Sequence, residues 1–309
     1  MLSARITPSE RKLFVLVIFT LIASVLTSIF FEQAVNWVGF IPGIAPGAAL
    51  VALGLYLRQQ DQRPRTADFL VSTGIYVLFG AFMAIFIFCF FPILRPTVDA
   101  QLFRLDALIG YDWTRAVAWA ASMPVLGKLM GLTYHSSLWQ VIATLGVLAA
   151  MNQPARMHHF LMAGFVALIL TLGIWVMFPS FGPAAYLTVP DAQTQAIGLI
   201  VNPAYGATLM DYAANGIPEI GPRTIIGAIA FPSFHTVMLC LILWFCRNTP
   251  AFWPMVAVNI LMIPAILIHG GHHVTDVMGG IVTSVASVWI ARLMLAEKFD
   301  LRMAKVSAG

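Results

Sequence analysis

Two short stretches hold the side chains of this sequence best suited to making or breaking a bond. Phe231-Pro232-Ser233-Phe234-His235 is answered, about forty residues later, by His269-Gly270-Gly271-His272-His273-Val274-Thr275-Asp276. The chain has seven histidines and thirteen acidic residues, and four of those histidines and one aspartate fall at the ends of apolar runs long enough to enter a membrane. Ionisable groups are costly near hydrocarbon and usually face a polar cavity, so this placement points to function. His272 and Asp276 are four apart and share a helix face. The carboxylate can accept a hydrogen bond from one ring nitrogen, fix the tautomer and leave the other nitrogen as a nucleophile. His235, from a different helix, can protonate a departing oxygen. Ser233 and the amides at the start of that helix offer donors to an anion. Together these groups suit displacement at a phosphate ester. Two other uses stay open. His269, His272 and Asp276, at i, i+3 and i+7, have the donors for a metal, and His235 and His272 could be structural histidines bonding backbone carbonyls between helices.

The elements that must position these groups are membrane helices. The chain has 309 residues, 60% hydrophobic and 10% charged, with a mean hydropathy of +0.87, far from the balance of a soluble domain. A helix crosses the hydrocarbon layer in about 20 apolar residues, whereas barrel strands show alternating segments of about 10. The long continuous runs here give an all-α, polytopic bundle. The net charge of +4 comes from basic residues scattered singly at the ends of runs, which suits a membrane-orientation signal and not a nucleic-acid interface. Cys89, Cys240 and Cys246 lie within or beside apolar runs as small core residues, with no disulfide framework or zinc spacing. Arg5, Arg11 and Lys12 precede a long apolar run with no cleavage site in reach, so the first run reads as a retained span.

Eight spans are expected: Leu13 to Phe31, Phe40 to Leu57, Phe69 to Leu94, Val125 to Met151, Phe160 to Phe178, Ile226 to Cys246, Phe252 to Ile268, and Val274 to Leu295. Residues 1–68 form two accessory spans and a cytoplasmic loop, residues 69–297 a six-span catalytic core, and residues 298–309 a cytoplasmic basic tail. Between the third and fourth spans, Leu102, Leu105, Leu108 and Ile109 recur at helical spacing against Arg104, Asp106 and Asp112. That pattern predicts one amphipathic helix lying on the membrane. The long stretch from Pro179 to Ile225 reads as a structureless functional loop. His158 and His159 read as a solvated cytoplasmic face, and Tyr134 and His135 as mid-span residues bonding a neighbouring helix. With both termini inside, twelve basic residues fall on the cytoplasmic side and five outside, in keeping with the positive-inside rule. Both histidine segments then lie on the outer face and can meet. Compact loops suggest a bacterial inner membrane with the site on its periplasmic side.

Pro232-Ser233-Phe234-His235 with His272-x-x-x-Asp276 resembles the paired signature of the type 2 phosphatidic acid phosphatase superfamily, specifically its inositol phosphorylceramide synthase-like branch. Asp106-x-x-Ile109-Gly110-Tyr111-Asp112-Trp113 and Gly270-Gly271-His272 are similar to bacterial members of that branch, and the likeness spans roughly Arg95 to Leu295. The resemblance implies a phosphohistidine on His272, orientation by Asp276, acid and base roles for His235, and no metal or other cofactor. It also implies a phospholipid or lipid phosphate as substrate and water or a lipid hydroxyl as acceptor. The superfamily's phosphatases carry Lys-x6-Arg-Pro and a Ser-Arg pair before the second histidine. This chain has Arg95-Pro96, but Phe88 at the lysine position and Ala265-Ile266 for Ser-Arg. Arg95 and Arg223 are left as outer-face cations for substrate binding with Ser233 and His269, although Arg223 also reads as a loop charge at headgroup level. Fewer cations suit a phosphodiester and modestly favour head-group transfer. A plain phosphatase acting on phosphatidic acid or undecaprenyl pyrophosphate is the alternative within enzymes. A transporter using the cavity only for binding is the alternative outside them, although no internal repeat supports it.

Overall fold

The computed structural model describes residues 6–61 and 63–295. Arg5 and the basic residues Lys298, Arg302 and Lys305 lie outside the described residues. In chain order the helices are α1 (Pro8–Phe30), α2 (Trp37–Gln59), α3 (Pro64–Phe88), α4 (Asp99–Leu108), α5 (Trp113–Ser122), α6 (Pro124–His135) and α7 (Ser137–Ala150). They continue with α8 (Pro154–Met177), α9 (Asp191–Ile197), α10 (Pro203–Asn215), α11 (Phe234–Cys246), α12 (Phe252–His269) and α13 (Val274–Leu295). Among the described residues there is no strand.

The core is apolar, but large apolar side chains also cover the outside of the bundle, and some helices turn small hydroxylated residues inward. On α1, Thr20, Ser24 and Ser28 are buried while Ile18, Phe19, Ile22, Leu26 and Ile29 are exposed. On α13, Thr283, Ser284 and Ser287 are buried while Ile281, Val282, Val285 and Trp289 face outward. Small hydroxylated residues let membrane helices approach and bond across their interfaces, and Ser24 Oγ donates to the Phe82 carbonyl of α3 at 2.8 Å. The protein is an integral membrane protein, a polytopic helical bundle.

Six helices, α1, α2, α3, α8, α12 and α13, are long and apolar enough to cross a membrane, against the eight spans expected. The other two expected spans fall on shorter apolar helices, α7 with 14 residues and α11 with 13. The fourth expected span is divided at Ser136 into α6 and α7, and α5 and α6 are bent against each other by 118°. The third ends at Phe88, not Leu94. The sixth begins at Phe234, not Ile226, because Pro232 has no N–H to continue a ladder and Ser233 caps the new helix, its hydroxyl accepting from Thr236 N.

The predicted amphipathic helix is two helices, α4 and α5, separated by a turn at Gly110 with φ +73°. Its faces are also mixed: Asp106, with Asp99, is buried and Leu105, Leu108 and Ile109 are exposed, whereas Leu102 is buried and Arg104 and Asp112 are exposed as expected. The stretch from Pro179 to Ile225 is not structureless. It carries a 3₁₀ turn at Pro183–Ala185, α9 and α10, and buries Phe181, Ile197, Leu199, Val201 and Leu209.

At the end of the bundle away from the histidine segments, Glu10 is fully buried and forms two hydrogen bonds with Arg58, at 2.6 and 2.9 Å. Arg58 also reaches Asp68 at 2.6 Å. His158, expected on a solvated face, is buried with Nε2 3.5 Å from Glu10, and His159 Nε2 lies 3.1 Å from the Val288 carbonyl. This cluster ties α1 and α2 to α3 and α8. Arg58→Ala leaves Glu10 without its main cation and should cost about 3–5 kcal/mol. Thermal unfolding in detergent measures this as a fall in Tm; an unchanged Tm would contradict the anchoring role.

Candidate active site

The site is built where three helix ends converge. The chain leaves α12 through Gly270 and Gly271 and enters α13 at Val274. Gly271 has φ +59°, a conformation that glycine adopts without strain. A Cβ at Gly270 would stand 2.5 Å from the Ile266 carbonyl oxygen, 2.7 Å from His272 Cδ2 and 2.9 Å from Tyr134 Cε2. The glycine pair therefore lets the chain fold back tightly enough to set His272 beside the start of α11.

Asp276 Oδ2 lies 3.0 Å from His272 Nδ1 and accepts from the His273 amide at 2.9 Å. A carboxylate only accepts, so Nδ1 carries the ring proton and Nε2 presents its lone pair. Ser233 Oγ stands 3.4 Å from that Nε2, and Ser233 N donates to the Asp276 carbonyl at 3.0 Å. The caps of α11 and α13 are thus bonded to one another. His235, on the first turn of α11, stacks on Tyr134 of α6 with ring centroids 4.1 Å apart and an 18° interplanar angle. His235, His272, Tyr134 and Gly270 line one cavity of about 50 Å³, closed by Phe181, Val201, Tyr205, Leu209 and Gly227 to Ala230. Among the described residues no lysine or arginine lines it.

The structure therefore brings His235, His272, Asp276 and Ser233 together. Arg95 and Arg223 are both exposed, and neither is in the cavity wall; Arg95 lines a separate depression with Phe31 and Gln33. His269, expected to contact substrate, is turned toward α6, with Nε2 2.9 Å from the Gly127 carbonyl and its ring against Gly131. The i, i+3, i+7 spacing of His269, His272 and Asp276 does not bring their side chains to one point, because the helix is interrupted at Gly270 and Gly271. Among the described residues no three His, Cys, Asp or Glu side chains are grouped to hold a metal ion.

The sequence reading missed a second buried set behind His272. His273 Nδ1 lies 2.7 Å from Asp106 Oδ2, and its Nε2 faces Asp99 Oδ1 at 3.5 Å. Asp106 also accepts from the Val274 amide at 3.1 Å, capping α13. Asp99 accepts from Ser180 Oγ at 2.8 Å, from the Gly182 amide at 2.9 Å and from the Tyr186 hydroxyl at 3.0 Å. Nearby, Tyr111 O–H reaches the His272 carbonyl at 3.4 Å and Trp113 Nε1 donates to the Ile268 carbonyl at 3.2 Å. The two short outer helices α4 and α5 thus hold the turn that carries the nucleophile candidate. The available signal was a pair of acids seven apart, hence on one face of α4, with an extra histidine beside His272.

Burial works to raise the Asp99 pKa, but hydrogen bonds from His273, Ser180 and the Gly182 and Phe181 amides hold it below the ordinary carboxylate value. Burial works to lower the His273 pKa, but Asp99, Asp276 and Asp106 hold it above the ordinary histidine value. Asp99 therefore stabilises the fold above its unfolded pKa of about 3.9 and ceases to as pH falls through its lower folded value. His273 does so below about 6.5 and ceases to as pH rises through its higher folded value. His273→Gln leaves two buried carboxylates without their cation, which should cost about 3–5 kcal/mol. It should also flatten the alkaline fall in Tm expected for the wild type. An alkaline limb unchanged by the substitution would contradict a charged His273.

Residues 100–290, well over half of the chain, match a family model described as the PAP2 superfamily. No curated protein and no solved structure matches the chain.

Proposed function

The chain belongs to the PAP2 superfamily, a membership that carries phosphatase-type or phosphotransferase-type chemistry on lipid phosphates, and from that premise we propose that it transfers a phosphoryl-linked head group between lipids. The observation that carries this proposal is the His272 Nδ1 to Asp276 bond, 3.0 Å long, in a histidine that lines one cavity with His235. Nε2 attacks phosphorus, and the bond to the departing lipid alkoxide breaks as His235 protonates it. Neutral His235 then takes the proton of the acceptor hydroxyl, whose oxygen attacks phosphorus and releases His272. The absence of lysine and arginine from the cavity wall favours a singly charged phosphodiester over a phosphomonoester dianion. The Pro-Ser-Phe-His form of the first segment supports the inositol phosphorylceramide synthase-like branch. The basic residues at the opposite end support a site on the periplasmic face of a bacterial inner membrane with both termini cytoplasmic.

A cavity of about 50 Å³ is far smaller than the roughly 300 Å³ or more of a site holding a small molecule. Substrate entry therefore requires the covering segments from the 179–233 region to move apart. A second reading rests on one contact: Ser233 Oγ at 3.4 Å from His272 Nε2 makes a Ser-His-Asp line in which the serine would be the nucleophile and His272 its base.

Head-group transfer is tested by mass spectrometry of products from purified protein, with EDTA present, given a phospholipid mixture and a hydroxyl-bearing lipid. A new phosphorylated acceptor lipid, absent with His272→Ala, is the expected result. Free phosphate, or an unphosphorylated diacylglycerol or prenol with no modified acceptor, would replace transfer by hydrolysis.

A further inference from the structure

A second cavity beside the site is apolar and has no part in the phosphoryl chemistry. It measures about 380 Å³ and lies between α3, α7, α8 and α11. Of all its wall residues only Tyr76 carries a polar side-chain atom. Along α3 it extends from Tyr76 to Ile87, eleven residues or about 16 Å at 1.5 Å per residue, parallel to the spans. Only one end adjoins the chemistry: Phe234, in its wall, sits between Ser233 and His235 in the chain, so the two cavities lie on neighbouring faces of the first turn of α11. Two glycines border the space. A Cβ at Gly80 or Gly164 would meet nothing within 4 Å, and Gly80 is exposed on the outward side of α3.

A void of this size in a close-packed bundle forfeits dispersion contacts along its whole lining, and water gains little there because Tyr76 alone offers a polar side chain where a buried water needs two or more partners. Hydrocarbon fits both conditions. We propose that this cavity receives one hydrocarbon chain of the lipid whose phosphorus reacts at His272, the chain entering sideways past Gly80 with its head end at Phe234. The inference rests on the phosphoryl-transfer reading for the identity of the head and on the cavity alone for the chain.

Gly164→Leu adds a side chain at a cavity-lining position where its Cβ would meet nothing within 4 Å. It should lower the ratio of kcat/KM for a long-chain substrate to that for a short-chain analogue by about tenfold, the effect of losing a few methylenes of burial. The binding arm needs no turnover: His272→Ala in vesicles is photolabelled with a phospholipid bearing a diazirine near the chain end, and the labelled peptides are mapped. Labelling concentrated on α3, α8 and α11 and lost on adding Gly164→Leu is the expected result. Label spread over the lipid-facing surfaces of all spans and indifferent to Gly164→Leu would overturn the chain site. Full product release by His272→Ala would remove the phosphoryl-transfer reading instead, and the labelling pattern would still decide the cavity.

Discussion

His272→Ala should lose turnover by about 10⁴-fold or more while keeping its fold, because removing the nucleophile of a covalent mechanism leaves only binding and electrostatics. Product formation from a phospholipid donor measures the loss, and an unchanged Tm shows that the protein remains intact. Among the described residues, His272 is the histidine that both lines the cavity and has a ring nitrogen held by a buried carboxylate, at 3.0 Å. Asp276→Asn should cost less, roughly 10²–10⁴-fold. An amide oxygen can still accept from His272 and from the His273 amide, but it cannot stabilise the positive ring that forms during attack. Activity of either variant within a few-fold of wild type would remove His272 from the centre of the chemistry.

The second large effect depends on the leaving group. His235→Ala should reduce turnover of an alkyl phosphodiester by about 10²–10⁴-fold, the usual worth of a positioned acid or base. With an aryl ester, whose phenolate departs without a proton, the release of the first product should fall far less. The second step still needs a base to activate the acceptor, so that release should appear as a single burst. The Tyr134 stack, with centroids 4.1 Å apart, fixes the plane of the His235 ring and makes this role a positional one. Equal losses on alkyl and aryl substrates would show that His235 does not protonate the leaving oxygen.

Much of this arrangement was legible in the sequence because membrane spans are set by hydropathy and end at polar signals. The last span, Val274 to Leu295, was placed at its observed ends, and His235, His272 and Asp276 stood out because ionisable groups are scarce in apolar runs. What failed did so for separate reasons. An amphipathic pattern shows that a helix has two faces, not which face looks into the protein, so Asp106 read as solvent-facing when, with Asp99, it clamps His273. The short helices α9 and α10, broken up by glycine and proline, looked like open loop because neither is long enough to give a clear period. His269 was assigned to the site by continuing a helical spacing through Gly270 and Gly271, where the helix in fact ends. Arg223 was assigned by charge and membrane side, and Arg95 also by its match to the Arg-Pro of the family element, and none of these places a side chain in a cavity wall.

The most direct test of the account is the location of the covalent intermediate. His235→Ala is incubated with a phosphorus-labelled aryl phosphodiester, quenched in alkali and digested, and the labelled peptide is identified by mass spectrometry. The account predicts label on the peptide containing His272, stable to alkali and lost in mild acid as a phosphohistidine is. Acid-stable label on Ser233 would make the serine the nucleophile and His272 its base, and an aryl burst with no labelled peptide would contradict covalent catalysis altogether.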